Sequence, residues 1–187
     1  LATVNTKKYI CPHHLKNMKQ ALLLITLFTS LKTMAQPTPS TTPTFPKSVG
    51  YFSVVHPLVT VDKNETVYNF SNGAYTVGFP FGINILTSNT TGFSLEVVPF
   101  IKSANGTSKT SNVLFHPGFM FRRPHGFTIL TRAAFETAGR YGVTLVFNKI
   151  IAKTKTNNIF IATPIPFRFG NDKPASVAIN VQIGITF

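Results

Sequence analysis

Residues 177–187 alternate without interruption between apolar and small or polar side chains. Val177, Ile179, Val181, Ile183, Ile185 and Phe187 share one parity, and Ala178, Asn180, Gln182, Gly184 and Thr186 share the other. Successive side chains of a strand point to opposite faces, so this segment reads as a strand with one oily face and one small, polar face. A soluble domain makes the oily face its core. A transmembrane barrel turns it outward to lipid and keeps the polar face for the lumen.

Composition favours the second use. Only 12% of the 187 residues are charged, against about 25% in an average soluble protein, and there are 18 Phe and no Trp. So little charge covers a water-facing surface poorly, and the length suits one domain. The one long apolar run outside the alternation, 21–31, is shorter than the roughly 20 residues a membrane-crossing helix needs. Met18 and Lys19 precede that run, and Thr33-Met34-Ala35 offers a small-x-small site before Gln36. This pattern predicts a secretory signal peptide over 18–35, cleaved between Ala35 and Gln36, with 1–17 a leader or an over-extended start.

Cys11 is the sole cysteine, so the chain after residue 35 holds none. That excludes a disulfide framework and a lipid anchor on cysteine, and suits a bacterial envelope protein. Without Lys7, Lys8, Lys16, Lys19 and Lys32 the chain keeps 13 basic residues against five acidic, a balance of +8. These bases, among them Lys102, Lys109, Arg122, Arg123, Lys149, Lys153, Lys155 and Lys173, are scattered over strand ends and loops. Scatter of this kind fits anionic lipid headgroups or lipopolysaccharide phosphates, and no nucleic-acid partner is expected. Four Asn-x-Ser/Thr sequons, at Asn64, Asn69, Asn89 and Asn105, read as chance in a Thr- and Asn-rich chain.

Residues 36–47 are rich in Pro and Thr and read as a linker. From 48 to 187 the pattern predicts an all-β domain, a closed antiparallel up-and-down transmembrane barrel of about eight strands. They lie near 49–60, 73–86, 92–101, 112–121, 126–137, 141–152, 158–169 and 176–187, separated by Gly/Asn/Asp turn signals. Parity gives an oily face of Phe79, Phe81, Ile83 and Ile85 in the second strand, Phe93, Leu95 and Val97 in the third, and Phe127, Ile129 and Phe135 in the fifth. The opposite face carries small residues with Glu96, His116, Arg132, Glu136 and Arg168. Charges enclosed in a narrow lumen must pair, so these five are expected to form an ion-pair network there. The first and sixth strands are blurred by Val54 next to Val55, and by Val146 and Ile150.

The segments Tyr75–Asn84, Phe93–Phe100, Phe115–Gly118 and Gly139–Thr144, with the last strand, give the chain a resemblance to the small eight-stranded OmpX-like outer-membrane barrels, particularly the uncharacterised outer-membrane barrel proteins of Bacteroidota-type bacteria. The resemblance implies a bacterial outer-membrane location. It also implies that Val181, Ile183, Ile185 and Phe187 are a C-terminal signal read by the barrel assembly machinery. Tyr51, Tyr68, Tyr75 and Tyr141 are candidates for the membrane interface.

An eight-stranded barrel is just wide enough for its own side chains, which argues against an open pore. The expected function is structural or surface-interacting, in a monomer. One alternative is a soluble periplasmic barrel with an inward oily face that binds an apolar ligand. A remoter one is an outer-membrane lipid-modifying enzyme, for which His116 with Glu96 or Glu136 is the available constellation, without a serine placed beside it by parity. His56, His116 and His125 lie on separate elements, so neither metal nor cofactor is expected. Mass spectrometry of the exported protein should find Gln36 at its N-terminus, and retention of residues 19–35 would make the apolar run an anchor.

Overall fold

The computed structural model describes residues 44–187 except 64, 72 and 171. The predicted signal peptide and its Ala35/Gln36 site lie outside the described residues, as does the linker up to residue 43. The described chain is antiparallel sheet: β1 (Lys47–Asp62), β2 (Thr66–Tyr68), β3 (Ala74–Gly78), β4 (Phe81–Leu86), β5 (Thr91–Ala104), β6 (Thr107–Arg123), β7 (Phe127–Glu136), β8 (Tyr141–Lys153), β9 (Asn158–Phe169) and β10 (Ser176–Thr186). Ten strands stand where the pattern predicts eight. The second is divided into β3 and β4 because Pro80 has no N–H to give the ladder, although Phe79 still donates to Pro99 and Ser53 to the Pro80 carbonyl. The third strand and β6 also run further than the sequence suggested. They meet in a tight turn at Asn105 and Gly106, both with positive φ (51° and 73°), the conformation that short hairpins favour.

The sheet closes on itself. β1 pairs with β3 and β4 on one side and with β10 on the other, and the remaining strands follow in sequence order, giving a ring of hydrogen bonds through eight strands. The closing register runs from Tyr51↔Thr186 to Asp62↔Ser176. Phe187 joins it by exchanging backbone hydrogen bonds with Gly50 (3.0 and 2.9 Å). Going round the ring from Tyr51 through Gly82, Glu96 and His116, then Ala134, Gly142, Arg168 and Ser176, returns to Asp62. The return point is displaced along β1 by about ten positions after allowing for the bulge at Leu58, so the strands tilt by about 40° to the ring axis. The β9–β10 register is interrupted between Val177↔Phe167 and Gln182↔Ala162. Pro164 and Pro166, without N–H groups, occupy that stretch.

Parity then sorts the side chains. Outward stand Phe52, Ile83, Leu95, Phe119, Phe135 (55% exposed), Phe147, Ile161 and Ile183 (51% exposed). Inward stand Ser53, Ser94, Glu96, His116, Arg132, Thr144, Arg168 and Gln182, all buried. The inner face is less polar than the sequence suggests. Tyr51, Leu86, Met120, Leu130, Val146, Phe160 and Ala162 form an apolar cluster inside the end where β1 begins, with Phe45 and Val49 against it. Val55, Val98, Leu114 and Ala134 form a second cluster with Phe100. These inward apolar residues explain the blurred strands: Val55 and Val146 are interior, and bulges at Pro57/Val59 and Ile150/Ala152 shift the phase. Tyr51 is likewise interior (4% exposed), not an interface residue as expected.

Gly82 shows how tightly the inner wall is packed. A Cβ there would stand 2.4 Å from the Leu95 carbonyl oxygen and 2.6 Å from the Tyr51 hydroxyl. Gly82→Ala should therefore lower the thermal unfolding midpoint of refolded protein, read as loss of the compact band on a heat-modifiability gel. An unchanged midpoint would place Tyr51 elsewhere.

Candidate functional site

The five charged or titratable residues singled out by parity come from β5, β6, β7 and β9, and all face the interior. Glu96 sits among three partners. Arg132 Nη1 donates to its Oε1 (2.9 Å), Tyr51 Oη donates to its Oε2 (2.8 Å), and His116 Nδ1 lies 3.0 Å from Oε1. Arg132 Nη2 also donates to Tyr51 Oη (3.0 Å) and Ser94 Oγ (2.9 Å). With Glu96 3% and Arg132 4% exposed, this pair is cut off from water. Without its multiple hydrogen bonds the desolvation would outweigh the attraction.

Nearer the far end of the ring, Arg168 Nε donates to Glu136 Oε1 (2.6 Å), and Asn112 Nδ2 donates to Glu136 Oε2 (2.8 Å). The structure therefore groups the five as two ion pairs with His116 on one of them. Thr144 joins the halves. Its Oγ1 accepts from Arg168 Nη1 (3.0 Å) and lies 2.8 Å from His116 Nε2. A neutral His116 with its proton on Nδ1 satisfies every contact: it donates to Glu96, while Nε2 accepts the Thr144 hydroxyl proton. Sequence reasoning missed Tyr51 and Thr144. Parity alone marked both as inward once β1 and β8 were phased, but their apolar neighbours hid the phase.

Thr144, His116 and Glu96 stand in the order hydroxyl, imidazole, carboxylate, the arrangement that activates a nucleophile. Here the hydroxyl is 1% exposed and its oxygen also accepts from Arg168 Nη1 (3.0 Å). Among the described residues no three His, Cys, Asp or Glu gather as a metal site.

Beside this network lies a cavity of about 180 Å³. The charged lining residues, Glu96, Arg132, Glu136, Arg140 and Arg168, lie with His116 and Thr144 on β5–β9 and the loop after β7, while β1 and β10 contribute Val55, Pro57 and Ala178 together with polar Asn180 and Gln182. Inward side chains pack closely at the end where β1 begins, while the half towards the β7–β8 and β9–β10 loops holds this cavity beside the Val55, Val98, Leu114 and Ala134 cluster.

No family model matches the chain, and no curated protein does. Two solved structures are similar in fold. One is the solution NMR structure of the de novo designed TMB2.3, 11% identical, covering 76% of this chain and 94% of that one with a TM-score of 0.43. The other, described as de novo design of transmembrane β-barrels, is 12% identical and covers 78% of this chain and 98% of its own, also with a TM-score of 0.43. Identities this low leave the function to the residues of this chain.

Breaking either ion pair strands a buried cation. Glu96→Gln should cost about 3–5 kcal/mol and lower the thermal unfolding midpoint of refolded protein. Glu136→Gln, nearer the rim, should cost less, and Lys173→Gln in the exposed β9–β10 loop should cost nothing measurable. Equal midpoints for Glu96→Gln and Lys173→Gln would remove the network from the stability of the ring.

Proposed function

We propose that the chain is a monomeric transmembrane β-barrel of a bacterial outer membrane, with a structural or surface-interaction role and no open pore. The observation that carries this reading is the placement of charge. Among the described residues, Glu96 and Arg132 in mid-strand and Arg168 near the end of β9 are charged and point inward, whereas the outward positions of the same strands are mostly Phe, Ile, Leu and Val, with Thr131, Ala133 and Thr163 between them. A belt that runs round every strand of a ring far exceeds the apolar patch a water-soluble monomer exposes, and fits a lipid solvent.

The remaining bases agree with this. Lys47, Arg122, Arg123, Lys153 and Lys155 lie at strand ends or turns on the side where β1 begins, and Lys149, outward within β8, reaches the turn before β7 by donating to His125 O (2.7 Å); all suit anionic headgroups at that level. Tyr68, Tyr141 and Phe169, exposed near the other rim, suit the second interface. The soluble alternative needs the oily face inside, and nothing in the structure favours it. An outer-membrane location in the manner of the OmpX-like proteins, contact with lipopolysaccharide, and recognition of Val181, Ile183, Ile185 and Phe187 by the assembly machinery complete the proposal. Those four residues share the outward face of β10, where another protein can read them during insertion. The apolar cluster inside one end supports a closed barrel.

Lipid-facing and interior substitutions separate the readings. Ile183→Arg places a charge in the belt at about 2–4 kcal/mol towards the midplane, and Phe135→Arg, opposite Tyr141 near the rim, about 0–1 kcal/mol; the first should reduce the heat-modifiable, membrane-inserted fraction more than the second. Gln182→Ala loses its interior hydrogen bond to Ser53, about 1 kcal/mol, and should still insert. Normal insertion of Ile183→Arg would refute a lipid-facing belt.

A further inference from the structure

We infer that the hollow half of the ring is a binding site for a small organic carboxylate, held by Arg140 at its mouth. The inference goes beyond the membrane reading and needs only the cavity. Three arginines line it, Arg132, Arg140 and Arg168, against two glutamates, Glu96 and Glu136. Glu96 is taken by Arg132 and Glu136 by Arg168. Arg140 donates instead to two carbonyls, Arg168 O (3.1 Å) and Pro174 O (2.9 Å), from the same Nη2 atom. With a neutral His116 the lining therefore carries one cation more than anions. In a site walled in part by apolar side chains such an excess attracts one counter-anion.

Unmet hydrogen bonding points the same way. Arg140 Nε and Arg132 Nε are buried donors on lining residues without a partner in the structure, and Asn180 Oδ1 is the one such acceptor among the described lining residues, which a hydroxyl or N–H on the ligand's body would meet; an unpaired buried polar group is unfavourable. A carboxylate oxygen satisfies such a donor and neutralises the charge together, and an arginine fork suits it in shape.

Size and the remaining lining define the rest of the ligand. A dry cavity of about 150 Å³ accommodates benzene, so about 180 Å³ accommodates a single ring or short chain with its carboxylate. Val55, Pro57, Val98, Phe100 and Ala178 offer that body apolar contacts, with Asn180 and Gln182 among them. The ligand class is thus a compact amphipathic monoanion. A metal ion or an organic cation finds no free carboxylate, because Glu96 and Glu136 already have their partners.

The test uses the full chain refolded into uncharged-lipid nanodiscs and three probes of one shape: benzoate, benzamide and benzamidinium. Backbone amide shifts are followed by NMR. Benzoate should titrate saturably at residues around Arg140, Arg168 and Ala178, at least about tenfold more tightly than benzamide, and benzamidinium should not bind. Arg140→Gln should weaken benzoate about tenfold, Ala178→Phe should abolish binding by filling the space, and Lys173→Gln should leave it unchanged. Equal binding of benzoate and benzamide, preference for benzamidinium, absence of saturation, or unchanged benzoate affinity in Arg140→Gln would each overturn the proposal. The comparison of probes on the unaltered chain decides the matter even where a variant fails to refold.

Discussion

Closure of the sheet between β1 and β10 is the constraint on which everything else depends. Backbone N–H and C=O groups demand partners, and an open sheet leaves two edges of them unpaired. The Tyr51↔Thr186 to Asp62↔Ser176 register removes those edges. Once the ring is shut, period-two alternation has only one meaning: every second residue is inside and the rest are outside. The apolar belt, the buried ion pairs and the cavity are all consequences of that sorting.

Closure also sets what the inside can contain. A ring of eight strands is narrow, so large side chains on one strand need small ones opposite. Gly82 stands under Tyr51, and Gly184 faces Ser53 and Phe160. Where the inward residues are large, as at Leu86, Met120 and Phe160, the interior is full. Where they are short or proline, as at Pro57, Ala178, Pro164 and Pro166, space remains, and the charged groups line part of it.

Much of this was legible in the amino-acid sequence because alternation survives wherever a strand carries neither a bulge nor an apolar interior residue. β4, β5, β7, β9 and β10 read directly, and with them the inward placement of Glu96, Arg132, Glu136 and Arg168. β1 and β8 did not. An extra residue at Leu58 or near Ile151 reverses the phase within one strand, and Val55 and Val146 look like lipid-facing residues while standing inside. Tyr51 and Thr144 were lost with them. The hollow was beyond reach for a different reason: it depends on how side chains from seven strands pack across the ring, and no local pattern records that.

The tilt of the strands has a consequence in time as well as in space. Because the inward path climbs as it goes round, each level of the interior draws single residues from distant parts of the chain. Tyr51 meets Arg132 across 81 positions, and Gln182 meets Ser53 across 129. No hairpin taken alone holds either contact, although shorter-range ones such as Glu96–His116 and Arg168–Thr144 lie within single hairpins. Local turns such as Asn105-Gly106 can form early, but the loop-closure entropy of the long-range contacts is met only when the first and last strands come together. The network is therefore completed last, and its long-range bonds distinguish a chain that has closed from one that has only paired its neighbouring strands.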